Sequence, residues 1–331
     1  MTPATRTPVV LGTLLTLGLA ILMVVAVVRT PATMTATSNT PPPTPATTLT
    51  ASSTTSDSSS TTSDSSMPRE WPTPESTGTR LETSALTSSD SITTSFDGQV
   101  IEGQDVIGRI EIRHDDVTIR DTRIQYTTNY GVLIEKVNGV CPKGTMIEYV
   151  EIDGSRAADN HAPAYDEGCG YTFDHVYLHN AGSGIRVYGP SVITNSYLVN
   201  DTYGPSGAHR EPLVVYGSDK VIRNNVLICD VPPGGCSAAL AIYGQVYPPQ
   251  NILVEGNWLA ATAAYCAYGG ATHEYSSQAV NIDFFDNAFS VSLTPETSTC
   301  GRSGNITAHR NGADGNQRAG NYIYETGRSI D

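Results

Sequence analysis

Basic residues are scarce in this chain of 331 residues: 19 Lys and Arg stand against 33 Asp and Glu, a formal net charge of −14. A surface of that sign repels phosphate, which excludes nucleic acid as a partner. No two cysteines are spaced C-x-x-C, so a zinc knuckle or a thioredoxin-type redox site is excluded. After Phe96 no stretch sustains the i, i+3, i+4 apolar spacing of a helix. That absence removes the helical and the alternating α/β classes. Between Arg29 and Arg69 the chain carries no Lys or Arg and few large apolar residues. A segment of that kind cannot offset the entropy of ordering its backbone.

What is present falls into three parts. Val9 to Val28 is an uncharged apolar run flanked by Arg6 and Arg29. Its twenty residues match the ~30 Å hydrocarbon core of a bilayer. The run predicts a single transmembrane signal-anchor within residues 1–29, with a cleaved signal peptide as the alternative. Either way the rest of the chain is exported, with the short N-terminus inside. Residues 30–95 are dominated by Thr, Ser, Pro and Ala. They read as a disordered linker whose composition suits O-glycosylation and whose role is reach. From residue 96 to 331 the composition turns to Val, Ile, Tyr, Asn and Gly, and this is the expected folded domain.

Export gives the six cysteines their use as disulfides. Many pairings are open; proximity along the chain selects Cys141–Cys169, Cys229–Cys236 and Cys266–Cys300.

The folded region repeats itself. A six-residue unit (apolar, any residue, Asp/Asn/Gly, small polar, any residue, apolar) occurs as Ile119–Ile124, Ile193–Leu198, Ile222–Leu227, Val254–Leu259 and Phe284–Phe289. A second unit ends in Tyr-Gly, and its tyrosines Tyr188, Tyr216, Tyr243 and Tyr268 recur 25–28 residues apart, with Tyr165 one step earlier. A period of this size means a stacked architecture. Short β-branched runs bounded by Asn, Gly and Asp mean strands. One repeat of two or three short strands is one coil of a β-helix, with Asn and Asp at its bends because both tolerate left-handed backbone.

With these repeats, the stretch from His209 to Gly217 followed by Ile222-Arg-Asn-Asn, and the ending Gly320 to Gly327, residues 96–331 resemble the right-handed parallel β-helix proteins of the pectate-lyase-like superfamily, most closely its exported bacterial members. The resemblance implies an all-β solenoid. It also implies a groove along one face in which outward side chains of successive coils form columns. The paired-aspartate and Gly-His-Gly signatures of polygalacturonases are absent, as is the clustered-aspartate calcium set of pectate lyases.

Counting from the repeats places Asp201 and Asp230 in register on adjacent coils. Two such carboxylates suit an acid/base pair or a calcium ion; the competing reading is solvated turn residues. His209, Arg210 and Glu211 follow in the same loop: a base near neutral pH, a fork for a uronate carboxylate, and an acid or cation ligand. These five are the expected catalytic cluster. No cofactor is indicated beyond calcium. His161, Asp166 and Glu167 sit in the insertion from Gly154 to Gly170, read as decorative, with a groove wall pinned by a disulfide at Cys169 as the alternative. The tyrosine column is read as packing between coils, with a sugar-stacking platform as the alternative. Asn200 and Asn305 head glycosylation sequons. The expected protein is extracytoplasmic, monomeric and carbohydrate-active: a lyase or hydrolase of an acidic polysaccharide, or a non-catalytic glycan-binding surface module.

Overall fold

A computed structural model describes residues 69–157, 161–202, 210–231 and 235–331. The expected apolar span Val9–Val28, the linker up to residue 68 and His209 lie outside the described residues. Among the described residues no helix is long and apolar enough to cross a membrane.

The described chain is all-β and its named strands pair in parallel. They form one 17-stranded sheet, one five-stranded sheet and one four-stranded sheet. In the largest sheet each coil contributes two short strands separated by a bend, such as Ser191–Thr194 and Tyr197–Asn200. The longer strands Thr118–Gln125 and Met146–Asp153 run through both columns. The five-stranded sheet stacks Ile185–Val187, Leu213–Val215, Leu240–Ile242, Tyr265–Gly269 and Gly304–Thr307. This is the stacked parallel arrangement of a β-helix.

The six-residue repeat explains the stacking. Its first apolar position is in register from coil to coil (Ile193, Ile222, Val254, Phe284), and so is its last (Leu198, Leu227, Leu259, Phe289, Ile323). All of these are at most 2% exposed, so like sits on like and the core is continuous along the stack.

The third and fourth residues of the unit make the bend. The first adopts left-handed backbone: Asn195, Asn224, Gly256, Asp286 and Gly320 have φ between 50° and 72°. The second points inward. The amides of Asn225, Asn257 and Asn287 each donate to the side-chain oxygen of the next coil's Asn at 2.9–3.0 Å. Each also donates to a backbone carbonyl, and each side-chain oxygen accepts a backbone N–H. Every polar atom of a fully buried amide is therefore paired, which is what makes its burial tolerable. Ser196 starts the ladder and Asp331 closes it on Asn321.

The boundary expected at residue 96 lies too late. Thr87–Ser89 pairs with Gln104–Ile107, and Ile92–Thr93 with Ile110–Ile112. Residues 69–80 reach the body through Arg69, Trp71, Gly78 and Arg80. These contacts rest on backbone groups and single side chains, so no apolar periodicity announces them. The three disulfides are Cys141–Cys169, Cys229–Cys236 and Cys266–Cys300, as proximity selected. Three disulfides and no free cysteine among the described residues indicate an oxidising, extracytoplasmic environment.

Candidate functional site

The strands of the five-stranded sheet send alternate side chains to opposite faces. Ile185 and Val187 are buried inside; Arg186 and Tyr188 face out, half-buried. The Tyr-Gly repeat thereby becomes an outward ladder running from Tyr130 through Tyr165, Tyr188, Tyr216 and Tyr243 to Tyr268. The ladder is cross-coil packing, as expected, but on the outer face.

Its spacing is uneven. Tyr130 and Tyr165 stack at 4.7 Å with planes 19° apart, and Tyr188 and Tyr216 do the same. Between these two stacked pairs Tyr165 and Tyr188 meet edge-on, at 5.2 Å and 63°, and beyond Tyr216 no pair stacks: Tyr216–Tyr243 is 6.3 Å at 44°, and Tyr243–Tyr268 is 5.4 Å at 56°. Tilted rings leave part of each aromatic face uncovered. At this point a cleft of about 450 Å³ opens, lined by Ser183, Arg186, Glu211, Tyr216, Tyr243 and His273 together with Val214, Ser237, Gln245 and Tyr268. That volume falls within the ~300–1,000 Å³ range of small-ligand sites.

Glu211 is 5% exposed and its Oε1 accepts a hydrogen bond from the Tyr243 hydroxyl at 2.8 Å. Burial, followed by the charge and hydrogen bond of Glu211, pushes the Tyr243 phenol far above its usual range. Tyr243 is thus a fixed donor to a carboxylate, and the His273 ring packs edge-on to it at 5.4 Å. Arg186 supplies a cation in the same cleft, its guanidinium 3.5 Å from the Ser183 hydroxyl. Gly184 lets the two coils meet, since a side chain there would overlap the Glu211 carbonyl.

Of the five residues expected to act together His209 lies outside the described residues, and one of the four described is in the cleft. Glu211 lines it; Arg210, its neighbour in an extended segment, is 3% exposed and is not in the lining. The cation that lines the cleft is Arg186, one coil earlier. Asp201 and Asp230 hold the expected register, since Asn200 pairs with Cys229 and the Asp230 N–H donates to the Asn200 carbonyl at 2.9 Å. Both are exposed and neither lines the cleft.

Asp166 is structural rather than decorative. Fully buried, it accepts from the backbone N–H groups of Gly170, Tyr188 and Gly189 at 2.7–2.8 Å, fixing the turn that aims Tyr188. Lys220 supports the same turn, donating to the Tyr188 carbonyl at 3.2 Å. Its burial lowers the ammonium to about 8, against the opposing charges of Asp166 and Asp219. Glu167 accepts from the Lys136 N–H, and His161 is half-buried.

Glu151, Asp153 and His179 have ligand atoms within 4.8 Å of one another. Arg123 already neutralises this group: it donates to Asp153 at 2.7 Å and lies 3.3 Å from Glu151. Burial raises Asp153, but hydrogen bonds from Asn180, Ser155 and Arg123 outweigh it and bring the carboxyl down to about 2. Asn200 is fully buried, and the Asn305 side chain is engaged by the Cys300 N–H.

Comparison with protein-family models, with curated proteins and with solved structures yields no match.

Proposed function

We propose that this is an exported, glycan-binding β-helix protein of the pectate-lyase-like kind, which takes a sugar unit of an acidic polysaccharide into the Glu211 cleft. The observation that carries the reading is the loosening of the tyrosine ladder where Glu211 and Arg186 stand. Tyr216, Tyr243 and Tyr268 offer apolar ring surface to the C–H face of a sugar. Glu211 accepts from its hydroxyls, and Arg186 forks onto a uronate carboxylate. The coils wind right-handed, as parallel crossovers do in nearly all cases. In this reading Val9–Val28 tethers the chain to the membrane and the Ser/Thr/Pro-rich linker carries the monomeric domain outward.

A catalytic role is the second reading, favoured by the meeting of Glu211, Tyr243 and His273 in one cleft. His273 would take the proton alpha to a uronate carboxylate held by Arg186, and the glycosidic C–O bond beta to that carboxylate would break, leaving an unsaturated sugar and a hydroxyl protonated from water. Inverting or retaining hydrolysis asks for two carboxyl groups about 5–10 Å apart. Among the described residues only Glu211 brings one to the cleft.

The test is a screen of acidic and neutral polysaccharides, with and without calcium, following binding, reducing ends and unsaturated products. Binding of a uronate polymer that falls at least about tenfold in Arg186→Gln and Glu211→Gln supports the first reading. Unsaturated product abolished by His273→Ala moves the protein to the lyases. No affinity for any glycan refutes both.

A further inference from the structure

The N-terminal residues 69–80 cross the outside of the bend column, from later coils to earlier ones. Arg69 donates to the Asp286 carbonyl at 3.1 Å and Trp71 Nε1 to the Gly256 carbonyl at 3.1 Å. Gly78 N–H donates to the His175 carbonyl at 2.8 Å, and Arg80 forks onto Asp121, with Nε to Oδ1 at 2.7 Å, its guanidinium 4.0 Å above the Tyr149 ring. Six coil steps of ~4.8 Å separate Asp121 from Asp286, about 29 Å. Twelve extended residues reach at most ~40 Å, so the segment lies nearly straight, with slack for one short turn.

That turn, Pro74–Ser76, is closed by Thr73 and Ser76 bonding each other's backbone N–H. Two cavities are lined by Trp71-Pro72-Thr73, one of them also by Glu70. One cavity, about 370 Å³, is floored by His175, Asn195 and Asn224. The other, about 290 Å³, is walled by Trp71 and Trp258 with Tyr197, Val226 and Ile228.

The bend column is built to receive the strap. Asn224 donates its amide to Asn195 Oδ1 at 2.8 Å, and Asn195 donates to Asp174 at 2.7 Å. The ladder then stops, because the next position is Gly256, which has no amide to offer. A side chain on Gly256 would overlap the Arg69 guanidinium. The glycine therefore makes a notch for the strap and leaves the Asn224 oxygen without a ladder donor beside the first cavity.

We infer that the strap and the bend face together form a second carbohydrate site, for a neutral sugar unit, separate from the Glu211 cleft. Its aromatic walls suit the apolar face of a pyranose, and its amides, imidazole and hydroxyls suit the sugar's rim. No Lys or Arg lines either cavity, and Arg69 and Arg80 are held to the body, so an anionic sugar finds no cationic partner there.

The chain has two tryptophans, and both flank this site; the Glu211 cleft has none. Intrinsic fluorescence therefore separates the two sites. Cellohexaose, as a neutral probe, is expected to shift tryptophan emission saturably in the wild type and equally in Glu211→Gln. In Gly256→Asn the new side chain suits the left-handed bend, extends the amide ladder to Asn224 and displaces Arg69. Affinity there is expected to fall at least about tenfold with the melting temperature unchanged or raised. Trp71→Leu, outside every strand, gives a second arm, read by calorimetry. Absence of a saturable change at millimolar probe in the folded wild type overturns the inference. So does undiminished affinity in folded Gly256→Asn and Trp71→Leu, and so does loss of the signal in Glu211→Gln.

Discussion

Two columns run along the stack, the asparagine ladder from Ser196 to Asn321 and the tyrosine ladder from Tyr130 to Tyr268, and they are built on opposite rules. At the bends the buried asparagine ladder repeats without variation: each rung makes the same bonds to the coil before and the coil after. On the outer face the tyrosine ladder alternates, with stacked pairs at Tyr130–Tyr165 and Tyr188–Tyr216 joined by an edge-on contact, and beyond Tyr216 no pair stacks. The contrast teaches where function can sit in a solenoid. A rung that neighbours hold on both sides has nothing left to offer a ligand. A rung whose neighbour has tilted away exposes ring surface and admits charged groups beside it.

Breaking the regular column should have the largest effect. Asn257→Leu takes a partner from the Asn225 and Asn287 side-chain amides and from two backbone groups, the Asn225 N–H and the Ile222 carbonyl, all in the core. A loss of about 3–5 kcal/mol is expected from such a buried network, measured by chemical denaturation. Asn305→Ala, a single half-buried bond to the Cys300 N–H, should cost about 1 kcal/mol. Equal losses would mean that the inner ladder is not special.

The outer ladder sharpens the comparison through pH. Burial, as the leading cause, raises the phenols of Tyr165, Tyr188, Tyr216, Tyr243 and Tyr268 above their ordinary value near 10. A raised folded value means the folded chain keeps protons that the unfolded chain has released. Stability from the ladder is therefore complete below pH 10 and declines as pH climbs beyond it. Lys220 acts oppositely: lowered to about 8, its buried ammonium costs stability in full below pH 8, where both states are protonated, and that cost fades from pH 8 to 10.5. Melting curves should thus rise slightly to about pH 10 and then drop. Asp153, depressed to about 2, adds a smaller acid-side loss beginning as pH falls below about 4, where its unfolded counterpart takes up a proton. In Tyr188→Phe the alkaline drop should shrink; an unchanged drop would mean the ladder does not titrate as described.

The sequence disclosed the regular column more fully than the irregular one, for a physical reason. A repeat is visible because each coil imposes the same demand: an apolar residue inward, a left-handed bend, an amide, an apolar residue inward. Residues such as Asn224-Asn225 therefore announce themselves. Cys229 and Cys236 could be paired because a short loop leaves few other geometries. Glu211 was legible as an ionisable residue in a loop before a strand. Arg186 and His273 were not, because one is an ordinary outward residue of a strand and the other sits in a turn. What brings them to Glu211 is the register of separate coils, which their local sequence does not encode. Asp166 was misread for a similar reason: its three backbone donors come from turns 4 to 23 residues further on. The strap was missed because Arg69, Trp71 and Arg80 stand in sequence that otherwise looks like linker.

The most direct test of the opened ladder is calorimetric titration of a uronate oligosaccharide into wild type, Tyr243→Phe and Tyr188→Phe. Tyr243→Phe removes the hydroxyl that holds Glu211, in the loose section, whereas Tyr188 lies in a closed stack. The expected result is affinity reduced several-fold or more in Tyr243→Phe and unchanged in Tyr188→Phe. Equal losses in the two variants, or none in Tyr243→Phe, would contradict the placement of the site where the ladder opens.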